Sequence, residues 1–129
     1  MSKDSFHQQM ADKLWQSANE ATSVEAFSDA YPEMTLEDSR KIQQINIDRR
    51  IAEGHKIIGK KVGATNKVMQ EMLNLHEPVM GYLLSDIIKT QRDFIVCESQ
   101  INPFIECEVG FVMAEALRGP NAQPYDVLR

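Results

Sequence analysis

At 129 residues, with 43% apolar and 26% charged side chains, the chain has ordinary globular composition and is expected to form one modest core. Its net charge of -5 is spread without long runs, so it lacks the basic stripe of a nucleic-acid surface, and small molecules or other protein chains are the expected partners. No apolar stretch approaches the ~20 residues of a membrane span, and Met1-Ser2-Lys3-Asp4-Ser5 has no apolar signal core, so no membrane partner and a cytoplasmic location are expected.

The first predicted element is an amphipathic helix. Ser5 and Gln8 form a capping-box pattern ahead of Phe6, Met10, Leu14 and Ala18, which recur at i+4, and Trp15 lies beside that stripe. A polar stretch over residues 19–23 leads to a short segment that ends near Tyr31-Pro32, where proline disfavours continuation. The next helix is better marked. Thr35 is its N-cap with Asp38 three positions on, Leu36, Ile42, Ile45 and Ile51 supply the apolar face, and Gly54 stands where a C-terminal cap belongs.

After Gly54 the pattern turns extended. Residues 56–62 read as a strand, Thr65 or Asn66 caps a brief helix through Leu73, and Pro78 and Gly81 mark a turn. Strands are predicted over 83–88, 94–97 and 101–114, the last broken near its start by Pro103. Gly119-Pro120 is a turn, and residues 124–129 look like the first turn of a helix. The expected architecture is therefore α+β, with an N-terminal helical region over 1–54 and the opening strands of a β-rich unit over 55–129. Cys97 and Cys107 fit no zinc or redox spacing and read as reduced and structural. His7, His55 and His76 are scattered in polar surroundings and read as surface residues.

The chemistry concentrates in Ile105-Glu106-Cys107-Glu108-Val109-Gly110-Phe111. On a strand, side chains alternate, so Glu106 and Glu108 share one face, and two glutamates at that spacing can converge on one hard cation. They would make half of a magnesium site. On its own such a pair is more commonly a solvated polar face, so the rest of the chain has to weigh in.

Several segments do so together. The run Ile42-Gln43-Gln44-Ile45-Asn46-Ile47-Asp48-Arg49-Arg50-Ile51-Ala52-Glu53-Gly54, then Gly59-Lys60-Lys61-Val62-Gly63-Ala64-Thr65, then Met69 to Leu73 and Pro78-Val79-Met80-Gly81, precede the Glu-x-Glu segment and Leu117-Arg118-Gly119-Pro120. In that order and spacing they resemble the 2-keto-4-pentenoate hydratase and 4-oxalocrotonate decarboxylase group of the fumarylacetoacetate hydrolase superfamily. The combination is more specific than any one piece.

The resemblance implies a mixed β roll or sandwich of fumarylacetoacetate hydrolase type, of which this chain carries the N-terminal half and is apparently truncated. It implies a divalent-metal hydratase that adds water to 2-hydroxypenta-2,4-dienoate or 2-keto-4-pentenoate-type substrates in aromatic-compound catabolism, through an enolate stabilised by Mg2+ or Mn2+. Glu106 and Glu108 fall on two of the family's metal ligands, with a third acidic ligand expected beyond residue 129. Lys61 falls on the family lysine as a catalytic residue, either a cationic partner of the substrate or a proton donor whose pKa would have to be lowered. Thr65 is a candidate substrate contact.

Departures lie at Ala64-Thr65-Asn66, Val79-Met80 and Cys107, and the last of these does not choose between the two branches. Gln70 and the 43–49 region look more like the hydratase. Two alternatives stay beside that reading: a 4-oxalocrotonate-type decarboxylase, and a non-catalytic fragment acting as an assembly module. The expected partners are a small 2-keto acid and either a second copy of the chain or a chain supplying the missing half.

Overall fold

The computed structural model describes residues 2–128. Helix α1 spans Lys3–Glu20, α2 Phe27–Ala30, α3 Leu36–Ala52 and α4 Lys67–Met72, and strands β1 (Ile57–Gly63) and β2 (Val79–Leu84) form an antiparallel pair. Beyond β2 the chain continues in turns and irregular backbone, with single 3-10 turns at Cys97–Ser99 and Pro124–Val127. The helical turn expected at 124–129 is thus a 3-10 turn, with Arg129 outside the described residues.

The cap of α1 is Ser2 rather than Ser5. The Ser2 hydroxyl accepts the backbone N–H of Ser5 at 3.2 Å, so the helix begins one turn earlier than the Ser5–Gln8 pattern predicts. Helix α3 starts as expected, since the Thr35 hydroxyl accepts the Asp38 N–H and the Asp38 carboxylate accepts the Thr35 N–H. It ends at Glu53, with Gly54 following at φ 99, a conformation in which a side chain would be strained.

Contacts between α1 and α3 advance together along both helices: His7 meets Asp38, Ala11 O accepts from Asn46 at 3.0 Å, Asp12 pairs with Arg49, and Trp15 lies 5.6 Å from the guanidinium carbons of Arg49 and Arg50. The helices therefore lie side by side and run the same way, and the 21–35 segment brings the chain back between them. Met10, Ala11 and Ile42 form the buried centre, with Phe6, Leu14, Phe27, Tyr31, Met34 and Ile45 packed around it. Ala18, expected on the buried stripe, is exposed, because strict i+4 spacing drifts off a face that repeats every 3.6 residues. Leu36 and Ile51 are likewise exposed at the two ends of α3.

His7 corrects the reading of all three histidines as surface residues. It is buried, and its Nε2 lies 2.8 Å from Asp38 Oδ1. A carboxylate can only accept, so that nitrogen carries the hydrogen.

The strand pair is tied to α3 by Arg40 with Glu77 and by Arg50 with Asp86. Gly81 lies within β2, opposite Lys61, rather than in a turn. Only residues 83 and 84 of the predicted 83–88 strand are strand, and neither 94–97 nor 101–114 is. These segments have strand-forming residues but no neighbouring strand to pair with among the described residues, and pairing rather than intrinsic preference makes a strand. Both cysteines are free, in keeping with reduced thiols, and both are exposed.

Candidate functional site

Lys61 is positioned by the register of the strand pair. Along β1, Gly59, Lys61 and Gly63 share one face, and they pair with Leu83, Gly81 and Val79 in turn. Each rung of that face thus carries one side chain: Leu83, then Lys61, then Val79. A Cβ added at Gly59 or Gly63 would lie 3.4 Å from the opposing Leu83 or Val79 side chain, whereas at Gly81 it would meet nothing within 4 Å. The lysine stem therefore rises between two apolar neighbours with open space across from it.

Glu106 and Glu108 return to this point from the irregular segment after β2. Lys61 Nζ donates to Glu106 Oε2 at 3.3 Å and to Glu108 Oε1 at closer range. The convergence expected from the two-residue spacing is present, although the backbone beneath it is not a strand. All three side chains are about half exposed or more, so solvent and small ligands reach the cluster. Hydrogen bonds donated to Glu108 and then to Glu106 raise the Lys61 pKa above its ordinary value. That direction is opposite to the lowered pKa a proton-donor role requires.

Two carboxylates aimed at one cationic centre are a partial donor set for a hard ion, which prefers six or more oxygens. Among the described residues, no group of three or more His, Cys, Asp or Glu side chains is arranged to hold a metal.

Thr65 lies in the loop between β1 and α4, exposed, and takes no part in the Lys61 cluster. The loop itself is fixed from below. Asn66 caps α4 by accepting the Met69 N–H at 2.9 Å, and buried Gln70 donates to the Ala64 carbonyl at 2.8 Å while accepting from Lys67 at 3.2 Å. Ala64 holds φ 53, which this bond helps to maintain. Gln70 is a positioning residue that the sequence reading used only for branch resemblance. Its place one turn after the Asn66 cap, facing back over the loop, was the available signal.

A cleft of about 310 Å³ lies elsewhere, lined by Met113, Leu117, Arg118 and Asp126 among others. It contains none of Lys61, Glu106 or Glu108, and a single exposed stretch of chain makes its walls. The convergent charges, not this cleft, define the candidate site.

No family model matches the chain. Among curated proteins it is 38% identical over 121 residues to the 2-oxo-hept-4-ene-1,7-dioate hydratase of Escherichia coli, covering 94% of this chain and 45% of that protein. It is 32% identical over 130 residues to the 2-hydroxyhexa-2,4-dienoate hydratase of Comamonas testosteroni, covering 99% of this chain and 49% of that protein. The chain spans about half the length of the curated relatives it matches. Among solved structures it is similar to the 4-oxalocrotonate decarboxylase from Pseudomonas putida G7 complexed with calcium and acetate, at TM-score 0.61 and 22% identity, over 67% of this chain and 33% of that one. That likeness speaks to the fold of the matched part.

Proposed function

We propose that this chain, a homologue of the N-terminal part of the 2-keto-4-pentenoate hydratase and 4-oxalocrotonate decarboxylase group, supplies half of the site of a divalent-metal-dependent hydratase. The substrate class is 2-hydroxypenta-2,4-dienoate and related 2-keto acids of aromatic-compound catabolism. The hydratase branch is favoured because the hydratase relatives reach 38% and 32% identity against 28% for a 4-oxalocrotonate decarboxylase of Pseudomonas putida. The observation that carries the reading is the convergence of Glu106 and Glu108 on the Lys61 ammonium, which brings the two carboxylates to one point.

Their hard anionic oxygens fit Mg2+ or Mn2+, and these two residues would hold the ion together with a further acidic ligand from polypeptide outside the 129 residues. The ion supplies a positive centre that offsets negative charge developing on a substrate keto oxygen. Lys61 contributes a permanent charge next to that centre, suited to pair with the substrate carboxylate and hold it in one orientation. Thr65, at the exposed crest of the Gln70-braced loop, is available for a polar contact to the substrate. Residues 1–54 would then form an N-terminal helical region and 55–129 part of the metal-binding catalytic unit, working in the cytoplasm as a homo-oligomer or beside a chain that supplies the remainder.

The test is the loss of 2-hydroxypenta-2,4-dienoate absorbance with and without EDTA. It is run on this chain and on a fusion extended to the full length of its relatives. The extended protein is expected to turn over substrate only with metal, and Glu106→Gln to reduce that turnover at least a hundredfold, since a ligand and its charge are both lost. Chelator-insensitive turnover, or full activity in the Glu106→Gln protein, would refute the assignment.

A further inference from the structure

Lys61 does more than stand beside the acidic pair. Among the described residues, its two hydrogen bonds are the ones that join residues 88–128 to the chain before them. The ammonium fills the space between Glu106 Oε2 and Glu108 Oε1, where a cation bound to both oxygens would have to sit. A divalent ion bonded to those oxygens at about 2.0 to 2.6 Å could not share that volume with an ammonium, and the two like charges would repel strongly at such range. One positive charge also leaves the pair with a residual negative charge that a divalent ion would cancel.

The register gives the lysine a way out. Its stem lies between Leu83 and Val79 and faces Gly81, where nothing stands within 4 Å of an added Cβ, so the four-carbon chain has open space on the Gly81 side into which to move.

We propose that Lys61 is the built-in counter-ion of Glu106 and Glu108, and that a divalent cation binds by displacing it. Ion binding and release of the ammonium to meet an anionic substrate are then one event. The proposal rests on the reading of the two glutamates as metal ligands. An internal competitor of this kind weakens the apparent ion affinity by the fraction of molecules in which the pair is already occupied. It also sets an order of binding, ion first and keto acid second, because the ammonium becomes available to the substrate only after the ion arrives.

Two measurements on the fusion extended to the full length of its relatives, in which the further acidic ligand is present, test this. Mn2+ alone is titrated into the wild type and Lys61→Met, and free ion is followed by electron paramagnetic resonance. Removing the competitor should tighten binding by about tenfold. Separately, Mg2+ is titrated into the wild type while the side-chain resonances of Lys61 are followed by NMR, and these should move to positions typical of a solvated lysine as the site fills. Equal or weaker Mn2+ affinity in Lys61→Met, or Lys61 resonances unchanged at Mg2+ saturation, would overturn displacement while leaving the glutamates as ligands. Absence of saturable Mn2+ binding in both proteins would overturn the ligand reading and displacement with it. The NMR arm uses only the wild type, so it decides the matter even where the variant folds poorly.

Discussion

The most heavily used side chain in the molecule is Asp38. Its carboxylate accepts from Thr35 Oγ1 at 2.7 Å, from the Thr35 N–H at 3.0 Å and from His7 Nε2 at 2.8 Å, and Lys3 adds a weaker contact at 3.5 Å. The Thr35 side-chain and backbone bonds, and then the His7 bond, hold its pKa far below the ordinary carboxylate value of 3.8. A pKa lowered on folding means the unfolded chain takes up the proton first. Asp38 therefore stabilises the fold above about pH 4, and that contribution is lost as the pH falls from there toward its lowered folded value. Asp38→Asn should lower the melting temperature at pH 7 and flatten its decline between pH 5 and pH 2, as followed by circular dichroism. A parallel acid decline in both proteins would show that other groups carry it. The Thr35 half of this cluster was legible as a local capping pattern. The His7 half was not, because a histidine counts as polar in a hydropathy pattern. Its spacing to Met10, Ala11 and Leu14 nevertheless puts it on the buried side of α1.

At the scale of elements, the local signals of α3 read true, the Ser5–Gln8 pattern missed the α1 cap by one turn, and signals that depend on partners failed. Thr35, Asp38 and Gly54 set the ends of α3 through bonds and dihedral angles confined to a few neighbouring residues. The strand-like residues at 94–97 and 101–114 needed hydrogen-bonding partners that sequence pattern cannot supply, and their backbone is irregular. The Lys61 cluster was legible in part: its three residues follow from motif and spacing, while the backbone that delivers the glutamates does not. Packing of α1 on α3 depends on Met10, the one large side chain that is wholly buried among the described residues. Met10→Ala should cost about 2 to 5 kcal/mol by lost burial and residual cavity, a large share of the stability of a domain this size. Chemical denaturation followed by far-ultraviolet circular dichroism measures it. A loss under about 1 kcal/mol would mean that the helices are held mainly by the polar contacts along their flanks.

For the whole molecule, surface area is the telling quantity. The chain exposes 10841 Å², whereas a compact monomer of 14.7 kDa is expected to expose roughly 6,900 Å². The excess lies after β2, where Phe94, Phe104, Ile105, Val109 and Val112 are each more than four-fifths exposed. Apolar surface of that extent favours association, so light scattering on the isolated chain should show a mass that rises with concentration. A dilution-resistant monomer with a compact hydrodynamic radius would show that these side chains find partners within the chain. The Lys61 bridge has one more consequence at this scale. It closes a ring, because Lys61 and Glu106 are 45 residues apart in sequence. For a flexible polymer, closing such a ring costs on the order of 3 kcal/mol of chain entropy, and the cost grows only with the logarithm of ring size. An insertion of about ten residues between β2 and the glutamates would add only about 0.2 kcal/mol. The connecting segment is thus free to lengthen or diverge while its two ends still meet, and the geometry of the charged site is set by the ends of the ring and not by its circumference.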